Sequence, residues 1–441
     1  MESPLNFFFD PILRAPTLGS MLMCLTASLV GVIVFLRKRS LLGESLSHAS
    51  YPGVILGVVI AGYIGLSDQN EAVLSLLVLI GGFFSALLGL YSINFLENNL
   101  KIKADSALCV ILSTFFGVGI TLASFVQFNY TNLYRQVQSY LYGQAATMTD
   151  INVIIYGILT IFVIVTILLF LKEIQVLTFD RIFSKTIGIP IVVIDMIFFI
   201  LIVLAVIIGI RSVGVVLMSA MFIAPASAAR QYTNSFSKMF IIAGFFGLLC
   251  GFLGNYLSVE ISQYLAHIYP NERVSIPTGP LIVLIASLVC FWSLLFAPRQ
   301  GLLFRIVRIA KFKLQTLEEN VLKTLWRRGE PLTLKDIQAY QNGNIFTMWW
   351  ILNLLQKRKF IAKSSHTYYL TDIGKIVAAK IVRLHRLWEV YLANYLEIGV
   401  EKVHKSAEEM EHVLTPELEK ELTAFLQDPV LDPHHQPIPA K

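Results

Sequence analysis

Residues 41–57 read LLGESLSHASYPGVILG. The stretch is apolar at its end, yet its middle holds a carboxylate, Glu44, and an imidazole, His48, four residues apart. On a helix that spacing is one turn, so the two side chains share a face. Oxygen and nitrogen donors together suit manganese, iron or zinc better than calcium or magnesium. The same pattern also fits a carboxylate at a wet membrane boundary above a hydrogen-bonded histidine. Depth decides between the two, because ionisable residues inside a membrane are rare and mark pathways.

The surroundings supply the setting. The chain has 441 residues, is 56% hydrophobic and has a mean hydropathy of +0.68, too apolar for a soluble globular protein. Runs long enough to cross a bilayer fall near 17–36, 50–66, 72–95, 105–127, 151–171, 189–210, 213–229, 239–262 and 278–297. About nine transmembrane helices are therefore expected. Basic residues at 37–39, at Lys101 and Lys103, in 172–185, in 230–238 and after Pro298 alternate with loops poor in lysine. The charge bias places those loops and the tail in the cytoplasm, with the N-terminus outside. The start, MESPLNFFFDPILRAP, lacks a basic region and is broken by Asp10 and prolines. The first membrane segment is thus expected to serve as the export signal. Cys24, Cys109, Cys250 and Cys290 all lie in apolar runs without CxxC spacing, which argues against a disulfide framework or a thiolate metal site.

Charge is concentrated at the other end. Of 35 Lys and Arg residues, 20 fall after residue 300, with 16 of the 29 acids. Residues 299–315 form a basic amphipathic stretch expected to lie on the membrane lipid as a linker. From 316 the pattern is helix, helix, helix and then a two-stranded hairpin ending near 372, the order of a winged helix-turn-helix. Residues 373–441 read as a further helical domain. There His385 and Glu389, His404 and Glu408, and Glu408, Glu411 and His412 stand at helical spacing. Packed together, two such helices offer three imidazoles and three carboxylates to one or two ions. A solvated charged helix explains any one of these sets equally well.

Six ordered stretches across residues 1–298 resemble the permease subunit of bacterial ABC importers for manganese, zinc and iron. They are LLGESLSHASYPGVILG, ADSALCVILSTFFGVGI, QSYLYGQAATMTDINV, LTFDRIFSKTIGIP, VGVVLMSAMFIAPASAAR and IPTGPLIVL. The resemblance implies that Glu44 and His48 lie on the metal pathway, Glu44 standing where many members have Asp. It implies that Phe179, Asp180 and Gly188 belong to the region that docks on an ABC ATPase subunit. It also implies a dimer with a second permease subunit and an extracytoplasmic metal-binding protein, in the bacterial inner membrane. The chain contains no GxxxxGK[ST] phosphate loop, so ATP hydrolysis falls to another subunit and this one is not an enzyme.

The tail resembles the diphtheria-toxin-repressor family of metal-dependent regulators, through residues 383–422 and the closing DPHHQPIP. By that resemblance His385, Glu389, His404, Glu408, Glu411 and His412 are metal ligands. Glu408 favours Mn(II) or Fe(II), with Zn(II) possible. Asn320 and Lys323 depart from the family's ligand pattern, and a protonated lysine cannot ligate. For operator DNA, Thr347 on the third helix and Lys357, Arg358, Lys359 and Lys363 around the wing are the candidate contacts. Of Trp349 and Trp350, one is expected in the core. The alternative is a tail that senses metal and regulates transport in cis without DNA. A membrane-held repressor reaches only DNA near the envelope, so cleavage within 298–316 is a further expectation.

Overall fold

The computed structural model describes residues 4–64, 71–129, 145–270, 275–341, 344–395 and 416–439, with positions 134, 137, 138, 140, 141, 143, 407 and 410. The chain forms two compact units, Met1–Phe304 and Arg305–Lys441.

Among the described residues, the first unit contains eight helices long and apolar enough to cross a membrane. They are α1 (Arg14–Leu36), α2 (Ser40–Tyr63), α3 (Glu71–Asn98), α4 (Ala104–Asn129), α5 (Asp150–Leu169), α8 (Ile191–Val213), α10 (Phe236–Ile268) and α11 (Thr278–Phe296). Two short helices, α6 (Leu171–Phe179) and α7 (Arg181–Thr186), interrupt the series.

The seventh expected span, 213–229, contains a shorter helix. Gly214 ends α8 at a φ of 89°, residues 215–217 turn, and helix α9 runs only from Met218 to Tyr232. Its fifteen residues reach about 22 Å, short of the roughly 30 Å hydrocarbon core. Pro225 lies inside α9 without ending it. The small residues serve close packing instead, since a Cβ on Gly31 of α1 would lie 2.1 Å from the Phe222 carbonyl oxygen.

Burial sorts the helices into centre and rim. α1 and α2 are 72% and 78% buried within the protein, whereas α4, α5 and α11 are below a third. That placement explains how α2 carries Glu44, His48 and three buried serines within a membrane-length helix: its neighbours are mostly protein, not lipid. Gly53 and Gly57 bring α2 against α3 backbone to backbone. A Cβ on Gly53 would lie 2.1 Å from the Gly81 carbonyl oxygen. Buried hydroxyl and amide pairs, Thr26 with Thr160 at 2.8 Å and Asn255 to Thr17 at 2.7 Å, hold α1 to α5 and α10.

The second unit begins in α12 (Leu302–Arg328), so the basic stretch expected as a linker is helical and forms the first half of α12. There follow β1 (Leu332–Thr333), α13 (Leu334–Gln341), α14 (Ile345–Lys357), β2 (Ile361–Ser364) and β3 (Thr367–Leu370). The strands form an antiparallel sheet in the order β1-β3-β2, with Lys363 opposite Tyr368. This is the winged helix-turn-helix order. Val321, Leu325, Ile337, Ile351, Leu355 and Ile361 build its core. The long α15 (Asp372–Tyr395) and α16 (Pro416–Phe425) complete the unit. Arg383 donates to the Pro439 carbonyl at 2.8 Å and Arg386 to Gln436 at 2.9 Å, pinning the last segment along α15.

Candidate metal pathway, coupling region and regulatory site

In α2, Glu44 is half-buried and His48 is 6% exposed. The imidazole meets the edge of Phe116 from α4, with centroids 4.6 Å apart at 69°. His48 Nδ1 is buried without a hydrogen-bond partner. Most buried side-chain polar atoms have a partner, so this nitrogen stands out. The serines nearby are already engaged. Ser47 donates to the Gly43 carbonyl at 2.7 Å, Ser45 to Leu41 and Leu108 at 2.9 and 3.1 Å, and Ser50 to Ser47 at 2.7 Å. Pro52 has no N–H, so the His48 carbonyl lacks its usual helical donor one turn on. The Ser85 hydroxyl donates to the adjacent Ala49 carbonyl at 2.6 Å. Among the described residues no group of three or more His, Cys, Asp or Glu side chains gathers to hold an ion.

The expected coupling residues divide by role. Phe179 is exposed and lies 6.0 Å, ring to ring, from Phe236 at the start of α10. Asp180 caps α7, accepting from the Phe183 amide at 2.8 Å. Gly188 turns the chain at a φ of 80°, which favours glycine. What the cap and turn display are Ile182, Phe183 and Ile187, all exposed, which the sequence reading overlooked. Their signal was available: apolar residues in a short charged segment between spans.

Asp195, at the start of α8, was also overlooked. Its two oxygens take Arg37 from the end of α1 at 2.8 Å and Arg181 from α7 at 2.9 Å. Arg37 also stacks 4.3 Å above the Phe198 ring. At the far end of α8, Arg211 donates to Ser75 and Asn152 at 3.2 and 3.1 Å beside a cavity of about 20 Å³.

In the tail, His385 Nε2 and Glu389 Oε1 are 3.2 Å apart, both almost wholly buried on α15. The expected partners His404, Glu408, Glu411 and His412 lie outside the described residues. On α12, Lys323 is buried, and Asn320 has a buried amide oxygen with no partner. Burial raises the Glu318 carboxyl above its ordinary value, opposed by Arg358, whose guanidinium is 2.7 Å away.

The face expected to meet DNA carries exposed apolar groups as well as cations. Lys357, Arg358, Lys359 and Lys363 are exposed, although Arg358 is engaged by Glu318, while Thr347 is half-buried. Neither tryptophan is in the core: Trp349 is 56% and Trp350 47% exposed, with Phe346 at 78%. The physical reason is periodicity. Met348, Ile351, Leu352 and Leu355 fill the inward stripe of α14, leaving both indoles outside.

A family profile described as "ABC 3 transport family" matches residues 9–297, and one described as "Iron dependent repressor, metal binding and dimerisation domain" matches residues 371–440. A "Probable metal transport system membrane protein" of Chlamydia trachomatis is 37% identical, covering 98% of this chain and 97% of that one. The "Manganese transport system membrane protein MntC" of Bacillus subtilis is 30% identical over 86% of this chain and 84% of its own. The "Zinc transport system membrane protein TroC" of Treponema pallidum is 31% identical over 70% and 96%. Among solved structures, PsaBC from Streptococcus pneumoniae in complex with Fab matches with a TM-score of 0.56 and 25% identity, covering 67% of this chain and 96% of that one.

Proposed function

The chain belongs to the ABC 3 transport family, and on that premise we propose that it is the permease subunit of an ATP-driven importer of divalent transition metal, with a metal-sensing repressor tail. The observation that carries the permease reading is His48: a buried imidazole with an unpartnered nitrogen, one turn from Glu44, on a central helix. A transported ion needs ligands that hold it briefly, and two donors with water or a second subunit's donors provide that. Mn(II) or Fe(II) is favoured for mixed carboxylate and imidazole donors, with Zn(II) as the other candidate.

The partners follow from this reading. An ABC ATPase subunit docks on Phe179, Asp180 and Gly188 and the apolar residues they display. An extracytoplasmic binding protein delivers the ion, and a second permease subunit completes the pathway. The protein sits in the inner membrane with its tail in the cytoplasm, as the positive-inside bias supports. His385 and Glu389, with His404, Glu408, Glu411 and His412, form the sensing site. The filled site favours a dimeric tail that engages operator DNA.

Proteoliposomes holding the chain and the binding protein, with and without the ATPase and ATP, test the permease reading. ATP-dependent uptake of Mn(II) or Fe(II) is expected; uptake at the same rate without the ATPase would make the chain a secondary transporter. A second reading, regulation of transport in cis, is favoured by the apolar outer face of α14. A gel shift of the tail with the upstream promoter, with and without Mn(II), separates the two: metal-dependent retardation supports the repressor.

A further inference from the structure

The first two turns of α14 present outward groups poor in hydrogen-bonding capacity. Base edges are recognised chiefly by side chains that donate and accept hydrogen bonds, with apolar contact confined to the thymine methyl. Ile345 and Phe346 have neither function, and the indoles of Trp349 and Trp350 only donate. All four are exposed. Lys357 lines the same surface hollow as Trp349 and Trp350. From Asn344 to Thr371 the chain contains no Asp or Glu, and carries Lys357, Arg358, Lys359 and Lys363.

Exposed aromatic side chains with a lysine beside them are the chemistry of the membrane interface. Trp seats its apolar ring below the headgroups with its N–H among them, and Lys and Arg pair with anionic lipid. Two further observations point to the same occupant. Helix α12, which lies in the same compact unit from Arg305 on, carries exposed Val307 and Phe312 interleaved with Arg305, Arg308 and Lys311. That is the pattern of a helix lying in an interface. Ile345 also follows Phe296, the end of the last span, by only 49 positions, so the bilayer is always at high local concentration.

We propose that Phe346, Trp349 and Trp350, with Lys357, Lys359 and Lys363, dock the winged helix on the anionic lipid surface of the bilayer that this chain crosses. This goes beyond the permease reading and needs no metal. A face seated among headgroups is closed to a DNA groove, so lipid docking and operator binding exclude one another. The attached tail is thereby held in a non-reading state.

The test uses the full chain in nanodiscs of phosphatidylcholine alone or with phosphatidylglycerol, and lipids brominated just below the headgroup. The signal is the part of the tryptophan emission removed by combined Trp349→Phe and Trp350→Phe, which keep the face apolar. With phosphatidylglycerol that part is expected to shift to the blue and be quenched by the brominated lipid. Salt at about 0.5 M, which shortens screening to under about 5 Å, should weaken the quenching. Phe346→Ser with Lys357→Glu, Lys359→Glu and Lys363→Glu should return the emission to that of indole in water. Water-like, unquenched emission in both lipids would overturn the proposal. So would a blue shift without lipid quenching, which identifies a protein partner, or one seen only after promoter DNA is added.

Discussion

His48 gains its meaning from one atom. Its spacing from Glu44 is visible in the sequence, but whether Nδ1 has a partner depends on α4 and the rest of the bundle, which periodicity does not reveal. Gly188 is a simpler case. Its φ of 80° and the empty space around it mean that Gly188→Ala meets no neighbour and feels only backbone strain. The cost should be about 1–2 kcal/mol, read as faster amide exchange across α7, with Gly188→Asn milder. In the tail, Thr333 and Asp336 form a reciprocal cap at the start of α13, with Asp336 Oδ2 accepting from the Thr333 hydroxyl at 2.6 Å and its amide at 3.0 Å. These bonds hold the Asp336 carboxyl below its ordinary value. Its folded pKa is thus below the unfolded one, so the stabilisation is present above the unfolded pKa and lost as pH falls through the folded one. Exchange protection of α13 should therefore drop on acidification, and Asp336→Asn should remove that pH dependence. Thr333→Ala should cost about 1 kcal/mol in denaturant titration.

Elements show where the sequence was legible and where it was not. Length and apolar content place eight spans and the winged-helix order. They mark 213–229 as apolar too, but its composition does not show that Gly214 and the following turn leave only fifteen residues for helix α9. In α14 the adjacent tryptophans suggest a core residue, yet the stripe Met348, Ile351, Leu352 and Leu355 already fills the inward face. That spacing was in the sequence and decides the matter. Packing between elements was not readable. Gly53→Val would drive a side chain into the Gly81 carbonyl and part α2 from α3. A loss of about 1–3 kcal/mol is expected, seen as a lower unfolding temperature in detergent. Asp195 joins α1 and α8 to α7, the helix beside the proposed ATPase dock. Asp195→Asn removes the charge that binds both arginines while nearly keeping the shape. ATP hydrolysis should continue while metal uptake falls at least tenfold, measured in the same vesicles; an equal fall in both would make the residue merely structural.

At the scale of the whole molecule, one chain joins a membrane-crossing permease to a tail matched by a repressor metal-binding domain. Glu and His at one-turn spacing occur in both, at Glu44 and His48 and again at His385 and Glu389. Their surroundings differ. His385 and Glu389 sit 3.2 Å apart and almost wholly buried, whereas Glu44 is half-buried. The measurement that tests this account most directly is ATP-driven Mn(II) or Fe(II) uptake by proteoliposomes carrying His48→Ala or Glu44→Ala beside the unaltered chain and Glu44→Asp. Both alanine chains should retain ATPase binding and lose most uptake, with Glu44→Asp retaining it. Uptake by His48→Ala and Glu44→Ala at the unaltered rate would contradict the account.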